Sequence, residues 1–195
     1  MKSKDKLRSW ETAALLTLCV FLLSGVFAHG RQAALSDKVI RLHVIAASDS
    51  AEDQAVKLAV RDAVLRQLAP VLSDAASPEA AAVSLASLLP EIERIAGDVS
   101  GGEAHALLGR ESYPTREYED FSLPAGMYTS LRIVLGNGQG HNWWCVVYPP
   151  LCSGAFSEAV EAGSFSEDDV KLITEDGAPY AIRFRLIEWW EKLLK

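Results

Sequence analysis

Apolar and polar positions alternate most cleanly near residue 40. In VIRLHVIAAS (39–48), Ile40, Leu42 and Val44 fall on one side and Arg41 and His43 on the other. That is the period of a strand with one buried face. The period then changes to a helical one. Val56, Val60, Val64, Leu68 and Leu72 form a stripe widened by Leu58 and Leu65, and Ser50 and Asp53 are spaced like a capping box. This predicts a helix over 51–69, ending near Pro70. Ser77-Pro78-Glu79 reads as an N-cap with proline in the first turn. It opens a second helix that runs through an Ala/Leu-rich stretch, kinked at Pro90, to Gly97. Beyond it, residues 113–121 turn aromatic and proline-punctuated, as a strand and turn do. MYTSLRIVL (127–135) and NWWCVVY (142–148) flank GNGQG (136–140), which predicts a hairpin with a slightly long loop. Pro149-Pro150 ends its second strand. Residues 153–169 are acidic and read as an exposed loop, and 166–174 as a short helix. A last strand is expected over 181–186 and an amphipathic helix over 187–194. The class is α+β: an N-terminal strand and two helices, then a mainly antiparallel sheet with a C-terminal strand and short helix.

The N-terminus belongs to another category. Residues 12–28, TAALLTLCVFLLSGVFA, carry no charge and follow Lys2, Lys4, Lys6 and Arg8. A basic start, an apolar run and a small-residue exit at Val26-Phe27-Ala28 make an export signal. The run also lies at the short edge of what spans a bilayer, about 17–25 residues, so an uncleaved anchor is the alternative. The chain divides accordingly into 1–28 as signal or anchor, 29–38 as a short linker, and 39–195 as one extracytoplasmic domain. Membrane contact is expected only through 12–28, if uncleaved.

Export changes the charge and the cysteine arithmetic. Without residues 1–28 the chain loses four of its 19 basic and two of its 26 acidic residues, leaving 15 against 24 and a net charge near −9. Such a domain is repelled by phosphate backbones, so nucleic acid is excluded as a partner. Cys19 sits in the apolar run, which leaves Cys145 and Cys152 as an isolated pair in an oxidising location.

Those cysteines fall in HNWWCVVYPPLC (141–152), the chain's densest cluster of chemically able residues. A cysteine nucleophile needs a nearby cation or helix N-terminus. Cys145 sits mid-strand among tryptophans, and His141, four residues away along a strand, is too distant for contact. His43 approaches only by cross-strand pairing. Zinc wants ligands in close pairs, which a seven-residue spacing does not offer. A disulfide requires the chain to reverse at Pro149-Pro150, and two quiet buried thiols remain the alternative. Asp49, Glu52 and Asp53 fit helix capping better than a calcium loop. No metal or cofactor is expected. Spacing alone thus leads to an exported, acidic α+β domain without a catalytic constellation.

Three blocks add a resemblance. IRLHVIAASDSAEDQAVKLAVRDAVL (40–65), residues 113–152 with their NWWCV-x-x-PPLC string, and IRFRLIEWW (182–190) resemble the stage II sporulation protein R family. Ala47 departs from the asparagine usual there. The resemblance implies a protein that is made in the forespore and exported into the space between forespore and mother cell. There it signals to a membrane-embedded aspartic protease that processes the sigma-E precursor. It implies a ligand, not an enzyme. The partner-facing candidates are Trp143 and Trp144, one packed and one outward, with Arg41, His43 and Asp49 as lesser ones. A solvated strand face is the favoured reading of Arg41 and His43. The competing function is an exported cysteine-dependent envelope hydrolase using Cys145.

Overall fold

In the computed structural model, which describes residues 9–118, 120–152 and 156–174, the apolar run lies inside a long helix, α1 (Ser9–Asp37). It is about 43 Å long at 1.5 Å per residue. By length and composition it can cross a membrane, and none of its apolar window is buried against the rest. The linker expected over 29–38 is replaced by the last turns of this helix. One glycine, Gly30, costs a helix only about 1 kcal/mol, and Leu35 docks into the core at 0% exposure.

Strand β1 (Ile40–Ile45) follows, then α2 (Ala51–Ser73) and α3 (Pro78–Ser100). Their starts are those the sequence predicts: Ser50 Oγ accepts the Asp53 N–H at 3.1 Å and Ser77 Oγ the Ala80 N–H at 3.2 Å. Pro70 does not end α2, because burial of Leu68 and Leu72 holds the helix on either side of it. After α3 come β2 (Ala104–Tyr113), the two-residue pair β3 (Arg116–Glu117) and β4 (Ser122–Leu123), β5 (Gly126–Leu135) and β6 (Asn142–Tyr148). Helices α4 (Phe156–Glu161) and α5 (Glu167–Thr174) close the described chain. The expected loop over 153–169 therefore contains a helix. Phe156, Ala159 and Phe165 are buried there, which an exposed loop would not achieve. The strand at 181–186 and the helix at 187–194 lie outside the described residues.

The fold is mixed α+β with a mainly antiparallel sheet, but its strand order corrects the hairpin. The order is β2-β5-β1-β6, so β1 lies between the two strands expected to pair. It runs parallel to β5 (Leu42 beside Leu131) and antiparallel to β6 (Leu42 beside Cys145). The loop between β5 and β6 crosses the end of β1, and its Gly140 N–H donates to Ala46 O at 2.9 Å. At Gly140 a Cβ would lie 2.2 Å from the Ser48 carbonyl oxygen, so only glycine permits the crossing. The glycine-rich loop thus bridges over a strand, a use that its composition shares with a hairpin turn.

Each sheet face is covered differently. On one face, Ile40, Leu42, Val44, Leu131, Ile133 and Ala106 pack against Val60, Val64, Leu68, Leu85 and Ile92 of α2 and α3. On the other, Tyr128, Val146 and Tyr113 pack with Leu35, Val39, Phe121, Leu123, Phe156 and Phe165. The Tyr118, Phe121 and Phe156 rings stack in sequence on that side.

Candidate functional site

β1 sends Leu42 to the helix-covered face and Arg41 and His43 to the other. The solvated reading of these two residues is overturned: Arg41 is 0% and His43 8% exposed. Their alternation is that of a strand covered on both sides, one of them by polar partners.

The Arg41 guanidinium lies 3.9 Å over the Tyr113 ring and 5.0 Å from that of Tyr128. Its Nη2 donates to Tyr118 Oη at 2.9 Å, while Nε and Nη1 are buried without a hydrogen-bond partner among the described residues. His43 Nδ1 faces Glu111 Oε1 at 3.1 Å and Nε2 faces Asn142 Oδ1 at 3.1 Å. Glu111 also accepts the Tyr113 hydroxyl at 2.9 Å, and Tyr113 in turn shares a 2.6 Å hydrogen bond with Ser130 Oγ. Arg132 Nη1 stands 3.6 Å from the same carboxylate.

Electrostatics follow from this crowding. Burial works against the charged form of Glu111, but hydrogen bonding from Ser130 and Tyr113 and the adjacent His43 outweigh it. The carboxyl is held below its ordinary range. Burial raises the Tyr113 hydroxyl well above the usual tyrosine value and pushes Tyr128 up to about 12. The network is thus a fixed arrangement of dipoles and charges in a partly dry setting.

Of the predicted residues, the structure brings Arg41, His43 and Trp144 together. The Trp144 ring lies 5.5 Å from that of His43 and 3.7 Å under the Arg116 guanidinium. Trp143 points to the opposite face, where Arg61 covers it at 4.8 Å. Both indoles are half-buried. Asp49 lies apart, at the end of β1, where its Oδ1 accepts the His141 N–H at 2.7 Å and meets His141 Nδ1 at 2.5 Å. With Lys57, which donates to His141 O at 3.0 Å, it clasps the crossing loop onto α2. Glu111, Tyr113, Asn142, Arg116 and Arg132 escaped sequence reasoning. The only local trace was the Glu111-x-Tyr113 spacing, which puts both side chains on one strand face.

Cys145 and Cys152 form a disulfide with Cα atoms 5.6 Å apart. Cys145 pairs with Leu42 on the helix-covered face, so its sulfur is bonded and lies across the sheet from His43. Both His43 nitrogens already face oxygen atoms, which leaves neither free as a base toward a third group. Among the described residues, no three His, Cys, Asp or Glu side chains gather to hold a metal ion. What the site offers is a rigid polar core supporting an indole and a guanidinium at its margin, an arrangement suited to recognition.

Comparison with known proteins agrees with the sequence blocks. Residues 36–158 match the family described as Stage II sporulation protein R. The chain is 35% identical over 181 residues to the Stage II sporulation protein R of Bacillus subtilis (strain 168), covering 80% of this chain and 81% of that protein. No solved structure matches. By family match and identity together, this chain belongs to the stage II sporulation protein R family, and with it to sporulation.

Proposed function

We infer that this chain is an exported intercompartmental signal. It leaves the forespore, acts in the space between forespore and mother cell, and activates a membrane-embedded aspartic protease that processes the sigma-E precursor. The observation that carries this reading is the identity to the Bacillus subtilis protein along four-fifths of both chains. Two features support it. An apolar helix leads directly into the domain, and the domain bears a disulfide, a bond that persists outside the reducing cytoplasm. The domain works as a ligand and not as a catalyst.

The test is reconstitution in a non-sporulating host that expresses the protease and the sigma-E precursor. Precursor cleavage is followed with and without this chain, exported intact. Cleavage that depends on the chain and survives the folded Cys145→Ser/Cys152→Ser variant is the expected result. Trp144→Ala, with its fold verified, should lower stimulation by about tenfold or more, as loss of an aromatic anchor at an interface does. Loss of activity in the folded double cysteine variant would instead return the hydrolase reading to the front.

A further inference from the structure

The two edges of the sheet differ in how well they are closed. At β6 the register shifts at Ile40/Arg41, and the turn through Pro149 and Pro150 folds back so that Leu151 N–H donates to Val146 O at 3.2 Å. A bulge and a covering turn are ordinary edge protection. β2, at the opposite edge, has ten residues and no strand on its outer side among the described residues. One outward group is satisfied: Ala106 N–H donates to Glu93 Oε1 at 2.8 Å. By the alternation of an antiparallel ladder, Ala104, Leu108, Arg110 and Ser112 turn their main-chain groups the same way, and no such bond to a side chain of the described residues is seen for their amides.

Beside this edge, on the face that carries the polar network, lies an open depression of about 270 Å³. Gly109 lines it together with Leu107, Arg110, Glu111, Ser130 and Arg132. Gly109 is not needed for the backbone. Its φ is not in the left-handed region, and a Cβ there would meet no atom within 4 Å. A glycine inside a strand weakens it, and often marks close approach by something else. Leu107 is 51% exposed at the rim. Arg110 is engaged by Asp37 at 2.8 Å and by the Met127 carbonyl at 2.9 Å. Arg132, its side chain 42% exposed, has among the described residues only the Glu111 carboxylate nearby, at 3.6 Å. That carboxylate already serves His43 and Tyr113. In a domain of net negative charge, Arg132 therefore presents donors unused among the described residues, above a strand edge that no described strand covers. Gly109 lies diagonal to it and keeps the path from the edge open, since Leu107 and Gly109 stand beside Arg132 and Ser130 in the ladder.

The geometry points to β2 as a strand-docking site for an extended, acidic segment of a partner protein. The segment's main chain continues the ladder, and one carboxylate side chain crosses Gly109 to Arg132. Main-chain pairing supplies affinity and the side-chain pocket supplies selectivity. Identifying the partner as the sporulation protease rests on the function proposed above; the docking surface itself does not.

Two experiments separate them. The first uses the full chain in detergent with a blocked peptide of alternating glutamate and valine, and its lysine counterpart as control, followed by amide chemical shifts. The acidic peptide should bind about tenfold or more tighter than the basic one, with shifts centred on β2. Gly109→Val and Arg132→Glu should each abolish this preference. Valine is a stronger strand former than glycine, so Gly109→Val should melt at or above the parent temperature. Equal binding of the two peptides, or shifts away from β2, would overturn the proposal. A marked loss of stability in Gly109→Val would also overturn it, because a part of this chain itself would then fill the depression. So would a parent dimer by light scattering that Gly109→Val turns into monomer, since a second copy would then own the edge. The second experiment places the same variants in the reconstitution. If the parent stimulates cleavage and folded Gly109→Val stimulates equally, the protease is overturned as the partner at this edge and the function stands. If the peptide binds as expected but the parent does not stimulate, the docking surface stands and the function falls.

Discussion

The two faces of the central sheet are built from the same strands and held together by different physics. Toward α2 and α3, β1 contributes Ile40, Leu42 and Val44 to an aliphatic core. Toward the other side it contributes Arg41 and His43, buried almost as completely among tyrosines, a glutamate and an asparagine. The aliphatic face tolerates any arrangement that excludes water at native density. The polar face has far fewer solutions, because each buried donor and acceptor must find its partner. Stability should therefore reside mainly on the first face, and specificity of shape on the second.

Neighbouring residues of β1 break or sustain that contrast most directly. Leu42→Ala should cost about 2–5 kcal/mol by transfer and cavity terms, since Leu42 is fully buried. Arg41→Met removes a cation whose Nε and Nη1 lack partners among the described residues, and it keeps most of the volume. It should change stability by no more than about 1 kcal/mol, in either direction, as replacement of poorly compensated buried charge does. Urea midpoints of the two variants decide it. Equal, large losses would show that the guanidinium contributes stability through its tyrosine contacts, and the division between the faces would fail.

This division was half legible in the sequence. The helices over α2 and α3 could be read because their signals are local: a stripe of apolar residues and a capping serine at each start. β1, β5 and β6 were readable as strands for the same reason. Their order was not. Sequence adjacency and a glycine-rich loop argue for a hairpin between β5 and β6, and nothing local reveals that β1 inserts between them. β2 was missed because Gly109 and a mixed succession of small, charged and apolar residues hide its period. The burial of Arg41 and His43 was invisible for a further reason. A solvated polar face and a polar-packed face alternate identically along one strand. Only the partners distinguish them, and Glu111, Tyr118 and Asn142 lie 68, 77 and 99 residues away.

The polar face should also respond to pH where the aliphatic face does not. Glu111 has its carboxyl held below the ordinary glutamate value of about 4.3 by Tyr113, Ser130 and His43, against the cost of burial. Arg132 stands nearby as a further cation. A carboxyl whose folded pKa is depressed contributes stability above its unfolded pKa and loses it as pH falls through the folded value. Glu111→Gln should therefore be less stable than the parent by about 1–3 kcal/mol at pH 7, the worth of hydrogen bonds to a charged group. The gap should narrow steadily below about pH 4. Leu42→Ala should show a gap independent of pH. Denaturation midpoints of the three proteins at pH 7 and pH 3 test this, and a constant Glu111→Gln deficit would mean that its carboxylate charge is not what the network uses.

The smallest effect offers the finest comparison, because β6 places the same pair on each face: an arginine over a tryptophan. Arg61 covers Trp143 at 4.8 Å on the aliphatic side, and Arg116 covers Trp144 at 3.7 Å on the polar side. Stacks of this kind contribute about 0.5–1 kcal/mol when exposed and more when dry. Arg61 is also tied to Asp62 at 2.7 Å, so part of its charge is already answered. Arg116 has a buried Nε without a partner among the described residues, so its attraction to the indole is offset by lost hydration. In double-mutant cycles with Arg→Met and Trp→Leu, the coupling at Arg116–Trp144 should exceed that at Arg61–Trp143 by a few tenths of a kcal/mol, given the shorter distance. The single Arg116→Met change should nevertheless cost less than Arg61→Met, because it also relieves the unsatisfied Nε. A larger coupling with a smaller net cost is the signature of a pair kept for geometry. If coupling and cost instead rank together, Arg116 acts on stability as Arg61 does, and Trp144 loses its claim to be held in place for a partner.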